Sequence, residues 1–312
     1  MSSVSPQADR NELLLRSMPA VFVLIWATGF VVARFGMPHA PPMKFLAVRY
    51  ILSVACFLVW AGLARASWPV GRRQWLHLSV TGVLMHAGYL GGVWAAVKTG
   101  MGAGLAALLV GLQPVLTALW ISWGGGRISS RQWTGLALGL GGLVLVVWQK
   151  LGLGEVHALN LLFATVALLS ITAGTLYQKR FVQACDVRTA NGVQLAAAFV
   201  VTLPLALLET ESMRWFLPGG GLNPELAGAM GWSVLALTLG GSSLLYLLIQ
   251  RGVATSVTSL MYLVPPTTAL MAWVLFDEPI TALTIAGVAL TATGVSLVVR
   301  TPATDSLRKG SA

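Results

Sequence analysis

Two long apolar runs near the C-terminal end of the chain indicate its structural class. They cover Gly252–Phe276 and Pro279–Val299, contain no charged residue, and are separated by an acidic turn at Asp277 and Glu278. Each exceeds the roughly 20 residues that an α-helix needs to cross the hydrocarbon core of a bilayer. The pattern therefore predicts helices that span a membrane.

A proline pair, Pro265–Pro266, interrupts the first of these runs near its middle. Proline lacks a backbone N–H and kinks a helix, and lipid offers no replacement partner for the carbonyl that loses its hydrogen bond. Because such a break is tolerated where it faces protein or a water-filled cavity, we interpret the pair as a hinge on a functional path. A static kink that only shapes the packing is the alternative.

Apolar segments of similar length recur from Met18 onward and are joined by short connectors. The longest connector, Glu209–Glu225, leaves no room for a soluble domain. The predicted fold class is an all-α integral membrane protein with ten transmembrane helices. The predicted spans are 18–36, 43–63, 75–97, 101–123, 132–149, 158–178, 189–208, 226–249, 253–275 and 281–299.

The second half of the chain repeats features of the first half. Pro114 and Pro265 lie 151 residues apart in similar surroundings. After a slip of one residue, further positions match between the halves, namely Ile128–Ser129 with Ile280–Thr281, Gly135 with Gly287, and Gly142 with Gly294. The chain is therefore interpreted as two repeats of five helices. The expected divisions are an N-terminal tail 1–17, a first repeat 18–149, a connector 150–157, a second repeat 158–299 and a C-terminal tail 300–312.

The basic residues predict the orientation in the membrane. With a cytoplasmic N-terminus, the inner segments hold Arg10, Arg16, Arg65, Arg72, Arg73, Arg127, Arg131, Lys179, Arg180, Arg188, Arg251, Arg300, Arg308 and Lys309. The outer ends hold only Arg34, Lys44, Lys98, Lys150 and Arg214. This positive-inside bias places both termini in the cytoplasm. Since five is odd, the two repeats enter the membrane in opposite directions, an architecture typical of transporters with a solute site near the midplane.

Composition excludes several other classes. The chain is 56% hydrophobic and 10% charged, against about 25% charged residues in soluble domains. The net charge of +10 does not indicate a nucleic-acid partner, because the basic residues lie in short connectors rather than on one face. Two cysteines, Cys56 and Cys185, provide neither a disulfide framework nor a metal site, and no cofactor is expected. The polar start lacks a cleavable signal pattern, so the first apolar run is expected to remain as an anchor.

Several predicted helices carry glycines four residues apart, including Gly88–Gly92, Gly100–Gly104 and Gly135–Gly139. Small residues at this spacing let helix backbones approach closely in a membrane. The sequence leaves two interpretations open, packing within one chain and the seam of a homodimer.

Four short motifs, in this order and spacing, resemble those of the EamA type within the drug/metabolite transporter superfamily, across nearly the whole chain. Helix one contains the run Trp26–Phe30, helix two contains Arg49–Tyr50, helix four contains Gly111–Pro114, and helix nine contains Tyr262–Pro265, which the acidic turn with Glu278 follows. The chain departs from the family at Gly125–Gly126, where the first repeat usually has Gly-Glu. Any role of that glutamate is therefore expected only at Glu278.

The resemblance implies a multi-pass secondary transporter of the inner membrane, often an exporter, for small polar or amphipathic metabolites such as amino acids. It also implies a central cavity lined by helices of both repeats, with helices five and ten at the periphery. The expected partners are a small-molecule solute and the lipid bilayer.

Carboxylates bear on the transport mechanism, because an exporter that exchanges protons for a cation would be expected to bury one in a helix. All ten lie in helix ends, tails or connectors: Asp9, Glu12, Glu155, Asp186, Glu209, Glu211, Glu225, Asp277, Glu278 and Asp305. This distribution favours facilitated diffusion or exchange over a proton site in the membrane. A multidrug or cation exporter of the same fold is the alternative function.

Two ionisable residues inside predicted helices are candidates for the solute pathway. His86 lies about midway along helix three, and it either contacts the solute or forms a neutral hydrogen bond between helices. Arg49 lies about two turns below the outer end of helix two. It could extend outward to the interface, bind a solute carboxylate, or pair with the carbonyl end of a helix.

Polar and aromatic residues complete the predicted solute pathway, although packing explains each of them equally well. With Arg49 and His86, the set is Trp26, Tyr89, Trp94, Gln113, Tyr177, Gln194, Ser242, Ser243, Tyr246 and Tyr262. The predicted hinges are Pro114, Pro265 and Pro266, which would bend as one repeat rocks against the other in alternating access.

Two other function classes were weighed. An integral-membrane enzyme acting on a lipid-linked substrate would need paired acids, a His–Asp arrangement or a metal cluster near one surface. None of these is evident, since the histidines His39, His77 and His86 have no carboxylate nearby in sequence and only His157 lies near Glu155. We therefore predict no enzymatic activity. A membrane sensor or channel without alternating access remains open at this stage.

Overall fold

A computed structural model describes residues 6–123, 129–152, 154–241, 243–244 and 263–299. Ten helices occur in these residues, and we number them in chain order. They are α1 Pro6–Gly36, α2 Pro42–Leu63, α3 Arg72–Lys98, α4 in two pieces Ala103–Val110 and Gln113–Trp123, α5 Ser130–Gly152, α6 Ala158–Phe181, α7 Val187–Leu208, α8 Pro224–Trp232 with its continuation Ser233–Gly240, α9 Val264–Phe276 and α10 Ala282–Val299.

The helices have the length and composition of membrane spans. Within the described residues, six are long and apolar enough to cross a bilayer, namely α2 to α7. The apolar part of α1, α9 and α10 are shorter apolar helices. The predicted class, an all-α protein that crosses the membrane several times, is confirmed.

The packing of the helices follows an approximate two-fold axis. α5 lies along α10, α2 along α7, and α4 along α9, so that each pairs with the helix at the same position of the other half. α3 packs against α6 and α7, while α8 packs against α1 and α2, which is the same arrangement with the halves exchanged. The fold therefore consists of two inverted five-helix repeats.

Glycines join α5 to α10 along this axis. A Cβ atom added to Gly135 would lie 2.6 Å from the carbonyl oxygen of Gly294, and one added to Gly142 would overlap the carbonyl oxygen of Gly287. At the centre, the Thr291 hydroxyl donates to the carbonyl oxygen of Gly139 at 3.3 Å. The matched glycines of the two repeats thus meet each other crosswise, and we call this contact the glycine seam.

Other glycine pairs also have partners within the chain. Gly88 lies against Ser170 of α6, Gly92 lies against the backbone of Phe163 in the same helix, and Gly104 lies against Ala269 of α9. These positions are used for packing inside one chain. A homodimer stays a prediction.

Prolines mark a break in α4 and the first turn of α9. α4 is interrupted at Gly111 and Leu112, directly before Pro114. Proline cannot donate to the carbonyl four residues earlier, here that of Val110, and its ring crowds that carbonyl, so the helix restarts. A Cβ added to Gly111 would lie 2.8 Å from the ring of Pro265, which makes this the close contact between α4 and α9.

The structure differs from the sequence prediction at two element boundaries. Pro265 and Pro266 occupy the first turn of the described helix α9 rather than its middle, a position where the missing N–H has no partner to lose. The predicted residues 253–262 of that helix lie outside the described part. α1 begins at Pro6 instead of residue 18, since polar residues extend the same helix backwards.

Candidate functional site

Arg49 is buried, with 7% of its surface exposed. Its guanidinium donates from Nε and Nη2 to the Thr238 hydroxyl, at 3.3 and 3.1 Å. Thr238 lies on α8, in the opposite repeat. The outward extension of Arg49 toward the membrane interface that we considered is therefore wrong, because the side chain is held by a partner inside the bundle.

His86 and Gln194 form the counterpart of this pair. Their side chains lie close enough to interact between α3 and α7. Arg49 is the eighth residue of α2 and Gln194 is the eighth residue of α7. The same arrangement thus occurs twice. In each repeat, a polar residue one third of the way along the second helix contacts a residue on the third helix of the other repeat.

The third-helix member of each pair lies in a π-helical segment. His86 lies in Val83–Gly88 of α3, and Thr238 lies in Ser233–Gly240 of α8. A π segment accommodates an extra residue, leaves carbonyl groups free of their usual helical partners, and is frequent at functional sites. Here the Tyr50 hydroxyl donates to the carbonyl oxygen of His86 at 2.9 Å.

These residues form one cluster in space. Arg49 interacts electrostatically with Tyr50, Tyr89 and His86. We define the central cluster as these four residues together with Gln194 and Thr238. It contains a fixed positive charge, an imidazole, an amide and hydroxyl groups, and both repeats contribute to it.

Two buried serines lie beside the cluster without a hydrogen-bond partner. Ser53 follows Arg49 by one helical turn on α2, and Ser233 precedes Thr238 by one π turn on α8. Both side chains are fully buried, and neither hydroxyl oxygen is hydrogen-bonded. Buried hydroxyls are normally paired, so these two donors are unused.

The other predicted pathway residues are distributed around the bundle. Trp94 is buried and stacks on Phe45 at 4.3 Å between ring centroids, near the outer end. Trp26 packs on Phe22, and Gln113 donates to the Thr175 hydroxyl at 2.8 Å.

Toward the other end of the bundle, Tyr177 is hydrogen-bonded to His77 at 2.8 Å. Ser243 donates to the carbonyl oxygen of Leu239 in its own helix. Ser242, Tyr246 and Tyr262 lie outside the described residues.

An ion pair and a histidine–carboxylate contact join the two repeats at the end of the bundle predicted to face outward, which we call the outer end. Lys98 of α3 is paired with Glu211 of the connector after α7 at 2.7 Å, and His39 contacts Glu225 at 2.5 Å. The hydrogen bond from Lys98 holds the pKa of the Glu211 carboxyl below its ordinary value. The pair is therefore charged at neutral pH.

Two carboxylates at the outer end receive the first N–H groups of helices from the opposite repeat. Glu209 accepts from the backbone of Met43 and Lys44 at 2.9 and 2.8 Å, and Glu278 accepts from the backbone of Ala103 at 2.9 Å. Carboxylates stabilise helix N-termini through these orphan donors and the helix dipole. The end of α7 is thereby fixed to the start of α2, and the end of α9 to the start of α4.

A groove of about 360 Å³ lies between α1 and α8 and includes Phe35, Glu225 and Trp232. None of the residues of the central cluster lines it. The solute chamber predicted at the midplane stays a prediction, because residues 245–262, which hold the predicted end of helix eight and the predicted start of helix nine, are outside the described part.

Known proteins resemble this chain over most of its length. The model of the EamA-like transporter family matches residues 18–148 and 158–300. A protein of Archaeoglobus fulgidus named an uncharacterized transporter is 26% identical over 93% of this chain and 97% of its own length. A Salmonella typhimurium protein named "Probable amino-acid metabolite efflux pump" is 25% identical over 88% of this chain and 90% of its own length.

One relative and one solved structure complete the comparison. An Escherichia coli protein named an uncharacterized inner membrane transporter is 24% identical over 73% of this chain and 72% of its own length. A crystal structure superposes with a TM-score of 0.61 over 90% of this chain and 95% of that chain, at 20% identity. The fold is therefore shared with an experimentally solved protein.

Proposed function

This chain belongs to the EamA-like transporter family, and from that premise we propose that it exports a small polar or amphipathic, amino-acid-like metabolite. The proposed location is the inner membrane, with both termini in the cytoplasm. The proposed mechanism is alternating access, in which one repeat rocks against the other around the central cluster. The printed name of the similar Salmonella typhimurium protein supports the solute class.

The observation that carries this proposal is the central cluster itself. Polar and charged groups inside a membrane protein are costly and mark solute pathways. Here such groups come from α2 and α3 of one repeat and from α7 and α8 of the other. The two members on third helices, His86 and Thr238, lie in π-helical segments. A site shared between repeats can be exposed to either side when the repeats move relative to each other.

The contacts at the outer end support a bundle that is closed toward the outside. An ion pair and two carboxylate caps connect the repeats there. For a solute to leave outward, these contacts must separate while the central cluster changes its exposure. Rocking of the repeats would break them together, because they all lie at one end of the bundle.

Counterflow in proteoliposomes tests the proposal. The purified protein is reconstituted, vesicles are loaded with unlabelled amino acids, purines or cationic dyes, and entry of the labelled compound is followed. We expect amino acids in the vesicle to accelerate entry of labelled amino acid. Accelerated entry of dyes alone would favour the multidrug alternative, and conductance without counterflow would contradict a carrier.

A matched pair of variants tests the role of the cluster in the same assay. His86→Ala removes a cluster side chain, whereas Trp148→Ala removes a side chain that is 76% exposed on α5. We expect counterflow to fall by at least about tenfold in the first variant, because solute contacts are lost. It should be unchanged in the second. Equal activity of both variants would remove His86 from the pathway.

A further inference from the structure

Among the residues that the structure describes, the charge of Arg49 has no counter-ion. Its only described hydrogen bonds go to the neutral hydroxyl of Thr238. That hydroxyl in turn donates to the carbonyl oxygen of Ser233 at 2.8 Å. A guanidinium has five N–H donors, and an isolated buried charge is costly unless it is paired and hydrogen-bonded. The described cluster therefore leaves both charge and donors unsatisfied.

None of the carboxylates whose side chains the structure describes is positioned to supply the missing charge. Six of the ten hold other partners: Glu155 pairs with Lys150, Asp186 with Arg188, Glu211 with Lys98 and Glu225 with His39, while Glu209 and Glu278 cap helices. Asp277 lies in the turn after α9. The remaining three, Asp9, Glu12 and Asp305, lie near the chain ends, and residues 242–262 contain no Asp or Glu.

The unused donors beside Arg49 have the chemistry of an anion site. The hydroxyl groups of Ser53 and Ser233 are fully buried, unpaired, and one turn from the two members of the Arg49–Thr238 pair. A carboxylate has two oxygens and about four lone pairs, so it accepts from a guanidinium and two hydroxyls together. A cationic solute group would meet repulsion from Arg49 and no anionic partner.

From these observations we infer that the central cluster binds the carboxylate of the transported solute, with Arg49 as the cation and Ser53 and Ser233 as further donors. The inference rests on the proposed function and specifies the group of the solute that is recognised. In the absence of solute the guanidinium lies on Thr238. On binding, the carboxylate takes over the guanidinium and draws α2 of one repeat and α8 of the other onto one ligand. Binding of the solute would thus act on both repeats.

The test compares each proteinogenic L-amino acid with its amide, in which the carboxylate is replaced by a neutral group. Counterflow is measured with the full-length protein in proteoliposomes. We expect the wild type to prefer acids over amides. In Arg49→Gln, counterflow of the acid should fall by about 30-fold or more, as when one partner of a buried charge pair is removed. Arg49→Lys keeps the charge and should retain part of the preference.

Ser53→Ala and Ser233→Ala keep the result interpretable if the arginine variants fail to fold. Each removes an unpaired buried hydroxyl, so the empty protein should be as stable as the wild type or more stable. The concentration of acid needed for half-maximal counterflow should rise several-fold, with little change for the amide. The control is Thr81→Val, since the buried Thr81 hydroxyl already donates to the carbonyl oxygen of His77 at 2.8 Å. Its selectivity should be that of the wild type.

The outcomes separate the inference from the proposed function. Equal transport of acids and amides by the wild type would overturn carboxylate recognition and leave the exporter in place. An unchanged acid preference in Arg49→Gln or in both serine variants would do the same. A wild type that carries neither acids nor amides would overturn the proposed amino-acid function, and the inference with it.

Discussion

Of the helix pairs that meet on the approximate two-fold axis, α5–α10 and α4–α9 are built differently, and we call these two the axial pairs. In α5–α10 both helices are continuous, and glycines of one helix meet backbone of the other. In α4–α9 one helix is broken at Gly111 and Leu112, the other has two prolines in its first turn, and the Pro265 ring lies against Gly111 at the break. The same symmetry thus relates a seam of backbone contacts and a crossing at helix breaks.

This difference predicts which of the two helix pairs is rigid and which one changes shape. Backbone packed on backbone has no side chain that can adjust, so the glycine seam fixes α5 to α10. At a helix break the chain has fewer internal hydrogen bonds, and a change of angle there costs less. We therefore expect α5–α10 to hold the repeats together while α4–α9 changes shape during transport.

The largest effect is expected from a side chain placed in the glycine seam. In Gly142→Leu the new side chain would overlap the backbone of Gly287. The loss should be about 3 kcal/mol of unfolding free energy or more, at the upper end of overpacking costs. The control is Gly141→Leu, because a Cβ at Gly141 would have no atom within 4 Å. Thermal unfolding in detergent and expression level are the measurements, and equal values for the two variants would contradict the seam.

A smaller, purely functional effect is expected at the helix break. Pro265→Ala removes the ring that rests on Gly111 and allows α9 to continue more regularly. Its maximal transport rate should fall by about an order of magnitude with normal expression, as for hinge variants. The control is Pro204→Ala, which removes the proline inside the continuous helix α7. Unchanged kinetics in Pro265→Ala would mean that the break is a static feature.

A moderate effect on stability is expected where α9 is fastened to α4 at the outer end. Glu278→Gln weakens the cap on the backbone of Ala103, which should cost about 1 kcal/mol of unfolding free energy. The neighbouring Asp277 has φ 54°, and Asp277→Asn removes one charge while keeping a residue that accepts this conformation. The control should lose less than half as much, and equal losses would indicate a general charge effect.

The smallest effect is expected at the start of α7, which belongs to neither axial pair. A hydrogen bond from Arg188 lowers the pKa of the Asp186 carboxyl. A carboxyl whose pKa is lower in the folded state contributes stability above its unfolded pKa of about 3.9 and loses that contribution as the pH falls through the folded value. Asp186→Asn should therefore cost about 0.5 kcal/mol at neutral pH, where solvent screening is strong, and almost nothing in strong acid.

That pH dependence is measured by thermal unfolding of wild type and Asp186→Asn in parallel. The difference between the two should shrink as the pH is lowered. A difference that grows in acid would reverse the assignment. Neither axial pair should be affected, so counterflow of the variant at neutral pH should equal that of the wild type.

The sequence was sufficient to predict that the chain is built from two repeats. Its matched positions, Gly135 with Gly287 and Gly142 with Gly294, are the residues that meet crosswise in the glycine seam. This was predictable because close helix packing in a membrane requires small residues, which leave a repeated spacing in the sequence. Pro114 likewise marked the break in α4.

The central cluster was predictable only in part. Arg49, His86, Tyr89 and Gln194 were candidates because polar groups stand out in apolar helices. Thr238 was missed, since a threonine in an apolar run can satisfy its hydroxyl within its own helix and gives no signal. Tyr50 was noted only as part of a motif.

Ser53 and Ser233 were missed for the same reason as Thr238. The pairing of Arg49 with Thr238 depends on the contact between α2 and α8 and on a π segment. Neither is encoded in a local pattern. Conversely, Trp94 was expected on the pathway but lies in aromatic packing with Phe45, because apolar burial and solute contact favour the same residue type.

The most direct test of the two rocking repeats is to tie them together at the outer end. Lys98→Cys and Glu211→Cys are combined in a protein whose native cysteines, Cys56 and Cys185, are replaced by serine. A short bismaleimide then links the two positions, and each single-cysteine variant treated with the same reagent is the control. Alternating access predicts that the linked protein loses counterflow while both controls keep it. Counterflow at the unlinked rate in the fully linked protein would contradict the account.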